Sequence, residues 1–182
     1  MLAGRTRRLT IEPLDVTHAE GLFAALDDPR VGAHIGGPDV STLPALRERI
    51  GRVLVGPKAG SGEVWLNWAV LLDRTVIGRI EATLHDGIAE IAYVFGPPWW
   101  GRGYATEATA WLLDEVRGLD VDACWATVAP GNEASVRLLR RLGFAATAPD
   151  VPLFSYDEGD LTFVRRQRSP RVISPDRRPP DG

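Results

Sequence analysis

The stretch WWGRGYATEATAWLLDEV, residues 99–116, decides the fold because it places two glycines directly before an amphipathic helix. The first N–H groups of a helix have no partner inside it, and the helix dipole adds about half a positive charge there. Glycine leaves room for an anion and tolerates backbone angles that other residues avoid. Gly101 and Gly103, with Arg102 between them, therefore predict a phosphate-binding turn before a helix that starts near Tyr104. A tight turn without a ligand is the alternative, because short glycine motifs are weak alone.

Two other glycine motifs do not fit this turn. A P-loop needs a Lys followed by Ser or Thr after its second glycine, and GYATEA has no such pair. A Rossmann turn needs a third glycine at a position where this chain has Thr106 or Glu107. Both nucleotide-binding motifs are therefore disfavoured.

The strands on either side of the turn predict a gap in the sheet. An apolar strand over residues 89–95 runs into Gly96, Pro97 and Pro98, and a proline pair cannot continue a ladder. A second strand, residues 124–128, follows the helix. A gap between two such parallel strands would expose backbone groups that an amide-containing ligand can pair with. Phosphates at the turn and an extended amide chain in the gap together describe coenzyme A.

The whole-chain composition is that of a globular domain. The chain has 182 residues, of which 45% are hydrophobic and 25% charged. A net charge of −3 predicts no general surface for nucleic acid. The only cysteine, Cys124, excludes an internal disulfide framework, and no apolar run approaches the roughly 18 residues of a membrane span. These features predict a cytoplasmic protein without a membrane partner.

Hydrophobic periodicity along the chain gives the order β-α-α-β-β-β-α-β-α-β-β, which predicts a mixed sheet with helices on both faces. The second helix, over residues 41–56, has Ser41 or Thr42 as its cap and four apolar residues for one face: Leu46, Ile50, Val53 and Leu54. A hairpin turn is predicted at residues 73–74, and two final strands at 153–159 and 160–167. The Pro- and Arg-rich tail, residues 168–182, is predicted to be disordered.

Three blocks in this order resemble the GNAT acetyltransferases: RRLTIEPL (7–14), IAYVFGPPWWGRGYATEATAWLLDEV (91–116) and ATVAPGNEASVRLLRRLGF (126–144). Within that family the chain is similar to the RimJ/RimL branch, which contains the ribosomal-protein N-terminal acetyltransferases. The resemblance implies an α/β (α+β) GNAT fold over residues 1–167. Its sheet would be mostly antiparallel, with about seven strands, and splayed between the fourth and fifth.

The resemblance also implies acetyl-CoA as the acetyl donor. The family's pyrophosphate signature falls on residues 100–105, and Trp100 replaces its usual Arg or Gln at a position that acts through the backbone N–H. The pantetheine arm would lie against Val94 and Phe95. The residues implied to bind the donor are Val94, Phe95, Trp100, Gly101, Arg102, Gly103, Tyr104, Ala105, Thr106, Asn132 and Ser135.

Asn132 and Ser135 have two compatible interpretations. From the residues alone, Asn132 is a helix cap and Ser135 lies in the first turn. The resemblance implies that Asn132 contacts pantetheine and that the Ser135 hydroxyl lies near the thioester sulfur. Because acetyl transfer expels a thiolate, Ser135 is the candidate general acid, with Tyr156 as the second choice.

The general base is not fixed by the resemblance. Glu90, at the start of the strand that leads to the turn, is the candidate named here, and a solvated strand end is the equal alternative. Glu107 is better explained as a carboxylate that complements the helix dipole. The further candidates are Glu81, His34, His85 and Asp157. No metal is predicted, because the three histidines are scattered and no Cys/His cluster has ligand spacing.

The predicted function is acetyl-CoA-dependent N-acetylation of a primary amine, either a protein N-terminus or a small molecule, by direct attack. The alternative is a non-catalytic acyl-CoA sensor or scaffold of the same fold. The acceptor is expected to enter beside the loop at residues 33–40 and the last hairpin. The sequence leaves open whether the chain forms a homodimer.

Overall fold

The computed structural model describes residues 1–33 and 42–167, and every structural statement below concerns those two ranges. Two predictions lie outside the described residues. One is the acceptor loop beyond residue 33, together with His34, and the other is the tail at residues 168–182.

Eight strands and five helices make up the described chain. In order they are β1 (Gly4–Arg5), β2 (Thr10–Pro13), α1 (Ala19–Leu26), α2 (Pro29–Gly32), α3 (Leu43–Val55), β3 (Val64–Leu72), β4 (Thr75–His85), β5 (Ile88–Phe95), α4 (Tyr104–Arg117), β6 (Ala123–Val128), α5 (Glu133–Arg141), β7 (Ala145–Ala146) and β8 (Leu161–Arg166). Short 3₁₀ turns at Val16–His18 and Pro97–Trp99 precede α1 and α4. No helix in these ranges is long and apolar enough to cross a membrane.

The strands form one sheet in the order β1-β2-β3-β4-β5-β6-β8-β7. Every neighbouring pair is antiparallel except β5 and β6, which are parallel. The predicted mixed, mostly antiparallel sheet is confirmed. It has eight strands rather than about seven: six of the predicted strands are present, one at residues 153–159 is not, and the two-residue strands β1 and β7 are too short to produce an alternating pattern.

Helices cover both faces of the sheet, as predicted, and strand alternation divides the core between them. Trp68 and Val70 of β3 pack in the cluster that contains α4 and α5. Ala69 and Leu71, the intervening residues of the same strand, pack in the cluster that contains α1 and α3. The β5–β6 junction therefore lies at the centre of a two-sided sheet, with α4 and α5 on one face.

Helix α3 follows its sequence signals closely. The Thr42 hydroxyl accepts a hydrogen bond from the Ala45 N–H at 3.2 Å, which makes Thr42 the cap. Leu46 and Ile50 are buried as predicted, but Leu54 is 48% exposed, so its assignment to the buried face was wrong. Leu54 lies one position beyond the stripe that touches the sheet, near the end of the helix.

The predicted hairpin at residues 73–74 is confirmed, with Asp73 and Arg74 both at positive φ, which matches the twist of the flanking strands. The predicted strand at residues 153–159 was wrong. Its backbone N–H groups at Phe154 and Ser155 donate to the Glu90 carboxylate instead of a neighbouring strand. Strand β8 pairs with β6 and β7.

Candidate active site

Strands β5 and β6 separate after three paired positions. Their register joins Ile88–Glu90 to residues 123–125, and the remaining residues of β5 have no partner in β6. The proline-containing 3₁₀ turn at Pro97–Trp99 follows β5 directly. The predicted splay between these two strands is confirmed, and it leaves an open edge in the middle of the sheet.

The hydrogen-bonding direction of β5 decides which backbone groups face this gap. Gly96 donates its N–H to the Ile77 carbonyl at 3.0 Å, toward β4. Because successive residues of a strand direct their backbone groups to opposite sides, Val94 also faces β4, and Tyr93 and Phe95 face the gap. Val94 therefore directs its backbone groups toward β4, and its expected place beside the pantetheine arm stays a prediction. Phe95 keeps its N–H toward the gap, but its carbonyl accepts a bond from Trp100 Nε1 at 2.6 Å.

The glycine turn has the open donors that the sequence predicts. Gly101 and Gly103 have φ of +71° and +80°, and Gly103 caps helix α4 with no side-chain hydrogen bond. The first bond of the helix joins the Glu107 N–H to the Gly103 carbonyl at 3.0 Å. The preceding N–H groups, at Tyr104, Ala105 and Thr106, therefore have no partner within the helix.

The space in front of Gly101 is open. A Cβ atom built on Gly101 would meet no atom within 4 Å, so the approach to the donors is open. Arg102, beside it, is exposed. The expected backbone role of Trp100 is not supported, because its N–H already donates to the Pro97 carbonyl at 3.2 Å. The occupied donor is that of Trp100 alone, and the expected roles of residues 101–103 stay predictions.

Arg8 belongs to this turn, although the sequence analysis did not single it out. Its Nη1 donates to the Arg102 carbonyl at 3.0 Å, and its guanidinium carbon lies 4.4 Å from the centroid of the Tyr104 ring. A Cβ on Gly103 would lie 3.4 Å from its Nη2. Arg8 also pairs with Glu107. A permanent positive charge is therefore held against the glycine turn by the segment between β1 and β2.

Asn132 caps helix α5, as the residues alone indicate. Its Oδ1 accepts a hydrogen bond from the Ser135 N–H at 3.1 Å. This bond uses the backbone of Ser135 and leaves the hydroxyl of that half-buried residue available. The side-chain amide N–H₂ of Asn132 is likewise not used by the cap. Both predicted contacts with a donor substrate are compatible with this geometry and stay predictions.

Tyr93 is the second residue that the sequence analysis missed. It packs against the core cluster that contains α4 and α5, so its side chain lies on the same face as Ser135. Its hydroxyl is buried and has no hydrogen-bond partner among the described residues. Burial raises the pKa of Tyr93 to about 12, and the nearby Ser135 side chain lowers it by a smaller amount. The sequence signal was only an aromatic residue in a core strand.

Glu90 is buried and held by several donors. His85 Nε2 lies 2.7 Å from its Oε1, and the N–H groups of Phe154 and Ser155 donate at 2.6 Å and 3.0 Å. The Ser155 hydroxyl also donates to it. Burial raises the pKa of Glu90, but these hydrogen bonds outweigh burial and lower it below the usual value. The geometry favours a structural role over proton abstraction, and the catalytic role stays a prediction.

The other candidate acids and bases are dispersed. Glu81 is ion-paired with Arg79 on β4. Tyr156 is 43% exposed in a groove between α5 and β8, and Asp157 lies in an exposed turn. Within the two described ranges, no group of three or more His, Cys, Asp or Glu side chains could hold a metal ion.

Comparison with known proteins gives the family of this fold and site. A model of the acetyltransferase (GNAT) domain matches residues 8–145, which include Arg8, the glycine turn, the strand gap and the start of α5. The chain belongs to the GNAT acetyltransferase family. The described sheet, with its single parallel pair and its splay, is the GNAT fold.

Individual GNAT relatives are similar over most of the chain. The Bacillus licheniformis protein named Uncharacterized N-acetyltransferase p20 is 28% identical over 145 residues, which cover 76% of this chain and 80% of that protein. An acetyltransferase structure from Agrobacterium tumefaciens is 25% identical, with a TM-score of 0.71 and coverage of 92% and 95%. RimL, solved with coenzyme A and named as a ribosomal L7/L12 alpha-N-protein acetyltransferase, is similar in fold at 14% identity, with a TM-score of 0.74 and coverage of 89% and 96%.

Proposed function

We propose that this chain transfers an acetyl group from acetyl-CoA to a primary amine. The observation that carries the proposal is that two sets of unpaired backbone groups meet where β5 runs into the glycine turn. The uncapped start of α4 offers the N–H groups of residues 104–106 to a diphosphate, and the β5–β6 gap offers the backbone of Tyr93 to an amide chain. Coenzyme A contains both chemical groups.

Each part of the donor has residues suited to hold it. The N–H groups after Gly103, with Arg8 and Arg102, bind the diphosphate. The Tyr93 and Phe95 edge of β5 pairs with the pantetheine amides in the manner of an added strand. Asn132 and Ser135, at the start of α5, lie at the thioester end. Both helix starts direct their positive ends toward the negatively charged donor.

When bound, acetyl-CoA supplies a thioester: an amine nitrogen bonds to its carbonyl carbon, the carbon–sulfur bond breaks, and the sulfur accepts a proton while the amine loses one. The Ser135 hydroxyl is suited to donate a hydrogen bond to the departing sulfur. Glu81 and Asp157 remain candidates to receive the amine proton.

The test combines binding with turnover. Isothermal titration calorimetry measures the Kd for acetyl-CoA, and thiol release is followed with a panel of amines. The panel includes peptides with a free N-terminus, because the RimL neighbour is named for a protein N-terminus. Thiol release that depends on both substrates supports the proposal.

Two outcomes contradict it. Tight binding of acetyl-CoA with no thiol release for any amine favours the sensor or scaffold alternative. Binding of ATP or NAD without binding of coenzyme A would point to an unrelated phosphate site at the glycine turn. Mass spectrometry of the amine after reaction checks that the acetyl group has moved to nitrogen.

A further inference from the structure

The Tyr93 hydroxyl is a buried donor that the described fold does not satisfy. Together with Thr109 Oγ1, it is one of two buried side-chain oxygen or nitrogen atoms without a hydrogen-bond partner in the described ranges. A buried hydroxyl without a partner destabilises the fold relative to one that is bonded. Such a group indicates either a tolerated defect or a ligand that supplies the missing acceptor.

The position of Tyr93 separates these two explanations. It lies on β5 beyond the last residue paired with β6, where the sheet is open. Its side chain is on the α4 and α5 face, and its hydroxyl lies near the Ser135 side chain, which lowers the pKa of Tyr93, although the two groups do not meet the distance and angles of a hydrogen bond. Thr109 is instead fully buried in the middle of α4. Only the Tyr93 hydroxyl lies beside both the gap and the start of α5.

We infer that the Tyr93 hydroxyl donates a hydrogen bond to the thioester end of bound acetyl-CoA, and thereby acts with Ser135 as a pair of hydroxyl donors in acetyl transfer. The inference rests on the proposed function for the identity of the ligand. The acceptor atom is the thioester oxygen or sulfur, both of which gain negative charge as the carbon–sulfur bond breaks. A high pKa keeps the phenol protonated, so Tyr93 donates and does not abstract a proton.

The test compares two substitutions that each remove one unpartnered hydroxyl. Tyr93→Phe removes the oxygen at the gap, and Thr109→Val removes the oxygen inside α4. Both proteins should unfold at a temperature equal to or above that of the unsubstituted chain, because each loses an unsatisfied polar group. We expect only Tyr93→Phe to lower kcat, by about tenfold to a hundredfold.

A binding measurement separates contact with the thioester from a general effect on the fold. Calorimetry is run with acetyl-CoA and with desulfo-CoA, which lacks both the sulfur and the acetyl group. We expect Tyr93→Phe to bind desulfo-CoA as the unsubstituted chain does, and to bind acetyl-CoA at least threefold more weakly or to turn it over more slowly. Equal weakening of both ligands would indicate a structural role and overturn the inference.

The measured kcat and Kd values distinguish failure of the inference about Tyr93 from failure of the proposed function. Unchanged kcat and unchanged Kd in Tyr93→Phe reject the role of Tyr93 while acetyl transfer by the unsubstituted chain stands. If the unsubstituted chain binds acetyl-CoA but acetylates no amine, the proposed function fails, and the calorimetric comparison still decides whether Tyr93 contacts the thioester. If it does not bind acetyl-CoA, both proposals fail.

Discussion

The Nε atom of Arg8 lies 2.7 Å from Oε2 of Glu107, which fixes the segment before β2 to the first turn of α4. The other carboxylate oxygen accepts the Thr6 hydroxyl at 2.6 Å and the Arg8 N–H at 2.8 Å. Burial raises the pKa of Glu107, but the hydrogen bonds from Thr6 and Arg8 outweigh it, so the pKa is lowered. The glycine turn is therefore held in place by the ionised Glu107 carboxylate.

Replacing Arg8 should weaken donor binding. In Arg8→Gln the guanidinium beside Gly103 is lost, together with its bonds to Glu107 and to the Arg102 carbonyl, so we expect the Kd for acetyl-CoA to rise about fivefold to tenfold. Calorimetry at two salt concentrations measures the effect. Arg7→Gln is the matched control, because Arg7 is exposed and the net charge changes equally. Equal weakening in both variants would attribute the effect to net charge alone.

Closing the glycine turn should prevent donor binding. Gly103→Val places a branched side chain in front of the open N–H groups, and we expect calorimetry to detect no binding of acetyl-CoA. The substitution also strains a position at φ +80°, at about 1–2 kcal/mol. Gly143→Val carries the same strain at φ +84°, beyond the far end of α5, and should keep the unsubstituted Kd. Retained binding in Gly103→Val would contradict the assignment of the turn.

Substitutions of Ser135 and Asn132, at the start of α5, should change different quantities: the first should lower kcat and the second should lower stability. Ser135→Ala keeps the bond from its N–H to Asn132, so we expect unchanged stability and a kcat lowered more than the affinity for acetyl-CoA. Asn132→Ala removes the cap and should cost about 1 kcal/mol of unfolding free energy. Urea unfolding and steady-state kinetics measure both quantities. An unaltered kcat in Ser135→Ala would remove its hydroxyl from the mechanism.

Glu90 should matter for stability in acid. Its folded-state pKa is below the unfolded value of 4.5, so the ionised carboxylate stabilises the fold above pH 4.5. That contribution is lost as the pH falls from 4.5 through the lower folded-state pKa. We expect Glu90→Gln to lose about 1–3 kcal/mol at pH 7 and to show a flatter decline of stability below pH 4.5.

The same variant decides between the two roles of Glu90. Glu115→Gln, at an exposed position of α4, is the control and should leave the stability curve unchanged. A structural role leaves the pH–rate profile of the folded Glu90→Gln enzyme with its original shape. If the limb of the profile that reports the base disappears instead, Glu90 is catalytic and the structural interpretation is wrong.

Features with a strong local signal were predictable from the sequence. The Thr42 cap, the hairpin at Asp73 and Arg74, and the glycines before α4 each follow from backbone preferences within a few residues. The splay of β5 from β6 also has a local cause, since the proline turn directly follows β5. These predictions needed no knowledge of distant contacts.

The missed features depend on contacts between residues that are far apart in the chain. Arg8 meets Glu107 across 99 positions, and the backbone at Phe154 meets Glu90 across 64. The second contact explains why residues 153–159 do not form a strand. Tyr93 became a candidate only because its hydroxyl lacks a partner after folding, which no sequence pattern records.

The three paired positions between β5 and β6 have a consequence for how the domain holds together. They are the only rungs joining the sheet on the β1–β5 side to the β6–β8–β7 side within the described residues. The two sides are otherwise joined by side-chain packing, since one core cluster holds residues of β3, β4 and β5 together with residues of α4, β6 and β8. A ligand that hydrogen-bonds to β5 in the open part of the seam stabilises this weakly paired region by mass action. On the proposed function, the bound donor would therefore serve as an additional strand of the sheet, and release of coenzyme A would leave the seam with its three paired positions alone.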